Sequence, residues 1–239
     1  QGTLSVAIGH DAGKTGQLTS SVAIGDTAGE ITQGTLAVAI GKDAGATTQG
    51  SNSVAIGNLA GNDSQLVSSV AIGDSAGQTD QGTLSVAIGH DAGKSSQSIS
   101  SVAIGDTTGQ TNQGTLAVAI GKLAGNSSQG ANSVAIGNLA GNSGQLVSSV
   151  AIGDSAGQTT QGTLSVAVGN DAGNSSQSIS SVAIGDSAGK TTQGTLSIAI
   201  GKDAGESTQG ANSVAIGNLA GNDSQLVSSV AIGDSSGQT

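Results

Sequence analysis

Apolar and polar residues alternate in short bursts that recur every sixteen residues along the 239-residue chain. Each burst reads Ser-Val-Ala-Ile-Gly, is preceded by Gln and three variable residues, and leads to Ala-Gly three residues further on. Gln1, Gln17, Gln33 and every sixteenth residue to Gln225 open a unit, so fifteen units follow one another without insertion. In the first unit Leu4, Val6 and Ile8 share one parity while Thr3, Ser5 and Ala7 share the other, the period of a β-strand with one apolar face. Val at the sixth position gives way only to Ile198, and Ile at the eighth only to Val168. The even positions are therefore expected to line the interior of each coil. Ser, Ala and Gly at the odd positions then leave a flat outer stripe that a second sheet can approach closely.

Gly9-His10-Asp11-Ala12-Gly13 reads as a corner, with glycines that admit positive φ on either side of a small inward Ala. Only Thr108 and Ser236 replace that Ala, which marks a tight site. A second, more polar strand is expected through Lys14-Thr15-Gly16-Gln17, with an inward apolar residue that shifts between units: Leu18 and Leu66 in some, Leu4 and Leu36 in others. Ile99 and Ile179 fall on the opposite parity and are not accounted for by this pattern. A helix is excluded, because two glycines per unit cost about 1 kcal/mol each relative to Ala and no 3.6-residue period is present. The fold class is all-β, a parallel β-solenoid of about fifteen 16-residue coils. Stacked at ~4.8 Å per coil, the coils are expected to make a rod roughly 70 Å long.

The units also group in fives. The residues after each Gln run Gly-Thr-Leu, Leu-Thr-Ser, Gly-Thr-Leu, Gly-Ser-Asn and Leu-Val-Ser, and the order returns with small changes from Gln81 and from Gln161. One solenoid domain over 1–239 is expected, built from blocks 1–80, 81–160 and 161–239. This super-period places Asp26 beside Lys42, Asp106 beside Lys122 and Asp186 beside Lys202 on adjacent coils, pairs that set register more than stability.

Composition narrows the function. The chain has no aromatic residue, Cys, Met or Pro, and a formal net charge of −10 with 6 Lys. An acidic surface without aromatic platforms argues against nucleic-acid binding. Its apolar runs are far short of the ~20 residues of a membrane span, so no membrane insertion is expected. Without cysteine the redox compartment stays open. Lacking Met, the chain reads as a processed or excised segment of a longer polypeptide. Open terminal coils at Gln1 and Thr239 would permit end-to-end joining into a filament.

Candidate chemistry is sparse. His10 and His90, the only histidines, lie five coils apart and cannot share a metal or a triad. Asp11 near Asp26, and Asp91 near Asp74 and Asp106, form acidic rims without the glycine-aspartate nonapeptide of calcium-binding β-rolls. The Gly-x-x-Ala-Gly corner lacks the Lys and the helix of a phosphate loop. No enzyme, metal or cofactor is expected. The recurring Gln is read as structural, with Gln17, Gln33, Gln49, Gln65 and their equivalents hydrogen-bonding along the stack as a side-chain ladder. The small-residue stripe is read as an oligomer interface through Ala7, Ala23, Ala39, Ala55 and Ala71, since long polar side chains are the ordinary choice on a free surface.

Asn52-Ser53-Val54-Ala55-Ile56-Gly57, which returns at Asn132 and Asn212, resembles the head repeat of YadA-type trimeric autotransporter adhesins. Its Ser-Val-Ala-Ile-Gly core covers every unit. The resemblance implies a left-handed parallel β-roll, a homotrimer on the bacterial surface, and binding of extracellular-matrix proteins. Similar repeats in phage and large-virus fibre proteins make a virion surface the alternative location. Ala60, Ala140 and Ala220 stand where that family's matrix-binding motif places Ser. The reading is a structural segment of a surface fibre or adhesin, extracellular or on a cell surface. Its partners are itself, as homotrimer or filament, and a host or matrix protein or another cell surface. The candidate binding stripe is Asn52, Ser53, Asn132, Ser133, Asn212 and Ser213. An ice-binding solenoid is the alternative, suggested by the Thr file that starts at Thr3, Thr19 and Thr35 and breaks at Val67, Ile99 and Ala131.

Overall fold

One sixteen-residue repeat closes into one coil in the computed structural model, which describes residues 1–237; the last residue, Thr239, where an open terminal coil was expected, lies outside them. The chain divides into two compact units, Gln1–Ala117 and Val118–Thr239. That division falls inside the eighth repeat, not at the five-repeat blocks ending at 80 and 160.

Each unit is a parallel β-solenoid, and no helix is present among the described residues. Every coil carries a three-residue strand made of Val-Ala-Ile or its equivalent, as in Val22–Ile24 and Val134–Ile136. Most carry a second strand of two or three residues ending at the Gln, as in Thr208–Gln209 and Ser95–Gln97. Successive coils pair in parallel at an offset of one repeat, so equivalent positions stack. Val22 faces Val38, Ala23 faces Ala39 and Ile24 faces Ile40 in the first unit. Gln193 faces Gln209 in the second. Backbone hydrogen bonds run from coil to coil even in the corners, for example Gly57 N–H to Ile40 O at 2.8 Å and Gly45 N–H to Ala60 O at 2.9 Å. The corner itself is closed by a bond from Ala28 N–H to Gly25 O at 3.4 Å. The first corner glycine sits at φ near +130°, as at Gly89 (128°), where a Cβ would lie 2.2 Å from the Gly105 carbonyl oxygen. Only glycine fits there.

The interior is the reverse of the one expected from hydrophobicity. Ala23, Ala39, Ala55 and Ala71 point inward and are wholly buried, together with the corner alanines such as Ala28, Ala44 and Ala60. Val and Ile of the same strands face outward and are half-buried in most coils. The Leu residues expected inside are on the surface: Leu18 is 47%, Leu36 57% and Leu66 45% exposed.

The reason is the narrowness of the coil. A Cβ added to Gly29 in the corner would already lie 3.4 Å from the Ala23 methyl and 2.9 Å from the Gln33 amide carbon. Little space remains between strand and corner, where the largest side chain accommodated at the corner-Ala position is that of Thr108. Ser is tolerated inside because its hydroxyl is satisfied locally: Ser21 Oγ donates to Leu18 O at 2.7 Å, and Ser85 Oγ to Gly82 O at 2.6 Å. Ala37 and Ala117 take the same buried place without needing a partner.

Candidate functional site

The inverted interior relocates the residues singled out as an interface. Ala23, Ala39, Ala55 and Ala71 have no exposed surface, and only Ala7, with a neighbouring coil on one side, is exposed. A second chain cannot touch these methyl groups while the coils are intact, so they belong to the core. What the strand face presents outward is paired columns of Val and Ile, running through consecutive coils of each unit. The invariance of Ala at the seventh position, against the Val-to-Ile and Ile-to-Val exchanges beside it, was the available signal. The side held to a methyl group is the side with no room.

The Asn-Ser stripe divides in the same way. Ser53, Ser133 and Ser213 are buried and donate to the carbonyls of Gly50, Gly130 and Gly210, each at 2.6 Å. They have no contact with solvent and cannot meet a ligand. Asn52, Asn132 and Asn212 are exposed and left-handed, with φ of 58°, 57° and 57°. Asn accepts this conformation more readily than most residues. Their backbones are tied to the preceding coil, as by Asn52 N–H to Thr35 O at 2.9 Å, which leaves the carboxamides free to face solvent.

The glutamines form a buried column, but their principal bonds run across the coil. Gln17 Nε2 donates to Val6 O at 2.8 Å, Gln33 to Val22 O at 2.6 Å, Gln49 to Val38 O and Gln65 to Val54 O, both at 2.7 Å. The amide thus joins the polar strand to the Val-Ala-Ile strand of its neighbouring coil. Amide-to-amide links along the stack occur from Gln49 to Gln65, from Gln193 to Gln209 and from Gln209 to Gln225, each at 3.2 Å. In Gln81, Gln97 and Gln161 the buried Oε1 has no hydrogen-bond partner and abuts the corner glycine.

Charge is confined to the corner after the Val-Ala-Ile strand and to the polar stretch that follows it. Every Asp, Glu, Lys and His occupies the tenth, eleventh or last three positions of its repeat, and the first nine positions carry no charged side chain in any of the fifteen. Along this stretch, Lys14 Nζ meets Asp11 at 3.0 Å and Glu30 at 3.6 Å, and Lys190 meets Asp171 at 3.1 Å. The hydrogen bond from each Lys to its Asp, reinforced by that carboxylate's charge, holds both ammonium groups above their ordinary value of 10.5. Lys42 and Lys202 approach Asp43 and Asp203 of their own coils at 3.9 Å instead of Asp26 and Asp186 of the coil before. Asp26 is met by His10 at 3.3 Å, and Asp186 accepts from Asn170 at 3.0 Å. His90 lies between Asp74 and Asp106, at 3.8 and 3.1 Å. Among the described residues no three His, Asp or Glu converge where a metal ion could be held. No helix there is long and apolar enough to cross a membrane.

Residues 33–60 match the YadA head domain repeat, in two copies. They span the third coil and most of the fourth, including Asn52 and the Val54–Ile56 strand. The parallel β-solenoid of sixteen-residue coils is in keeping with that resemblance. The comparison with curated proteins returned no match.

Proposed function

We propose that this chain is a rigid segment of a surface fibre or adhesin, outside the cell or on its surface, that assembles as a homotrimer with the Val and Ile columns turned toward one another. The observation that carries this reading is the outward, half-buried Val/Ile face on the same strands whose core motif matches an adhesin head repeat. Branched apolar side chains in register, on a face free of charge, are surface that water disfavours and that a like face covers well. The solenoid supplies stiffness, because each coil is hydrogen-bonded to its neighbours at strand and corner alike. The exposed carboxamides of Asn52, Asn132 and Asn212, presented from a fixed backbone, supply the polar stripe for a host or matrix protein or another cell surface.

Light scattering after size exclusion tests the assembly. The expected mass is three times 22.4 kDa, about 67 kDa. Replacing Val86, Ile104, Val150 and Val182 by Lys places charge on the outward face of both units without entering the core. It is expected to return the mass to 22.4 kDa with the β circular-dichroism signal retained. A wild-type chain that stays at 22.4 kDa at every concentration would falsify the trimer. Attachment is read separately, by binding of the trimer to immobilised matrix protein before and after Asn52, Asn132 and Asn212 are changed to Asp.

A further inference from the structure

The last position of each repeat, just before the next Gln, takes two backbone conformations. In the first unit Asp80, Ser96 and Asn112 are left-handed, with φ of 53°, 59° and 54°. In the second, Ser128 and Gly144 are left-handed at 60° and 77°, while Thr160, Ser176, Thr192 and Thr208 are not. The strand ladder follows the difference. Where the last position is left-handed, the polar strand has three residues and its middle one drops out of register: Ser95 pairs with Thr111 and Gln97 with Gln113, and Ser96 between them is unmatched. Where it is not, the strand has two residues and the last position pairs with its equivalent, as Ser176 does with Thr192 and Thr192 with Thr208.

Residue type explains only part of this. Gly16, Asp80, Asn112 and Gly144 are left-handed, as Gly, Asp and Asn accept most readily. No Thr is left-handed at this position, although Thr27 and Thr107 are, at 54°, in the corner. The corner imposes its φ, whereas the last position has an alternative and a β-branched residue takes it. Ser adopts both forms. Ser96 stands between Asp80 and Asn112 and is left-handed; Ser176 stands between Thr160 and Thr192 and is not. Both are exposed, so the core does not choose for them. Their stacked neighbours do, and the ladder shows how. Where the two forms meet, pairing shrinks to a single match between glutamines: Gln17 with Gln33, Gln65 with Gln81, and Gln145 with Gln161. Ser64, between Thr48 and Asp80, has only such a match on either side, through Gln49 to Gln65 and Gln65 to Gln81.

We infer that the last position of the repeat is a two-state backbone element whose state passes from coil to coil. Thr holds a run of coils in the paired form, Gly, Asp and Asn hold a run in the left-handed form, and Ser copies its neighbours because a mismatch forfeits ladder pairs. This is nearest-neighbour coupling along a stack. A partner that favours one form at one coil therefore shifts the run up to the next Thr or Gly. The element lies on the polar strand, away from the Val/Ile face, so it stands independently of the trimer.

NMR of the full chain tests it through the one-bond Cα–Hα coupling and the intraresidue amide-to-Hα distance, which separate positive from negative φ. In the parent, Ser96 is expected to show positive φ and Ser176 negative φ. The variant Asp80→Thr, Asn112→Thr is expected to turn Ser96 to negative φ, and Thr160→Asn, Thr192→Asn to turn Ser176 to positive φ. Each uses residues that the chain itself carries at this exposed position, and unchanged signals from the Val-Ala-Ile strands report that the coils are intact. Asp80→Asn alone is expected to leave Ser96 as it is, which separates backbone preference from the loss of a charge. A Ser96 or a Ser176 that keeps its parent signature in its Thr or Asn variant overturns the inference, and so does a parent in which the two serines are alike.

Discussion

At the scale of single residues, this solenoid is governed by a few positions with no latitude and a few with a surplus. Gly89 and its equivalents have none, since φ of 128° and the Gly105 carbonyl together exclude a side chain. Gly89→Ala is expected to cost more than about 3 kcal/mol in urea unfolding, from strain and the displaced backbone. Gln97 is fully buried and its amide donates to Val86 O at 2.8 Å and Ser101 O at 3.4 Å. Gln97→Ala leaves both carbonyls without that donor and opens a void, with an expected loss of about 2–4 kcal/mol. Leu84 is the opposite case. Leu84→Asn relieves a left-handed Leu and is expected to raise stability by about 1 kcal/mol. An unchanged or lower unfolding midpoint would show that this exposed Leu contributes to the fold of its own coil.

At the scale of the coil, strand and corner divide the work. The inward Ala has no room to grow, so Ala103→Leu is expected to destabilise by about 3 kcal/mol or more. Val102→Thr on the outward side of the same strand should change the unfolding of a single chain by less than about 1 kcal/mol. Equal costs for the two would mean the strand faces have been read the wrong way round. The corner ion pairs add a pH dependence whose sign is set by their raised lysines. Lys14 and Lys190 gain stabilisation that is complete below 10.5, the ordinary value, and is lost as pH rises through their higher folded values. These two groups are therefore expected to give the melting temperature no pH dependence near neutrality and to lower it only in the alkaline range. The double variant Lys14→Gln, Lys190→Gln should show a shallower alkaline decline.

At the scale of the molecule, the chain behaves as a stack whose members recognise only their neighbours. Equivalent positions lie one repeat apart across every pairing, so a whole coil can be removed without losing register. Deleting 49–64 brings Gln33 against Gln65, and the shortened chain is expected to fold with unchanged β signal per residue. Deleting only 49–56 misaligns each later strand with a corner and should abolish cooperative unfolding. The segregation of charge is also a property of the whole. It leaves the Val/Ile face, the proposed contact between copies, without charge on a chain that is otherwise strongly acidic.

The sixteen-residue period by itself determined the coil length, the parallel in-register pairing, the glycine corners and the buried corner Ala, because each follows from identical residues stacking on themselves. Its alternation also showed that the two strand faces differ. Which face is inside was decided only in three dimensions. A period of two says that Val6 and Ala7 point opposite ways, and hydrophobicity alone would send the Val inward. The distance across the coil sends in the Ala instead, since strand and corner approach until a methyl group and one Gln amide fill the space. For the same reason the Asn of the Asn-Ser stripe reaches solvent and the Ser does not, a distinction that lies in the turn and not in the order of the residues.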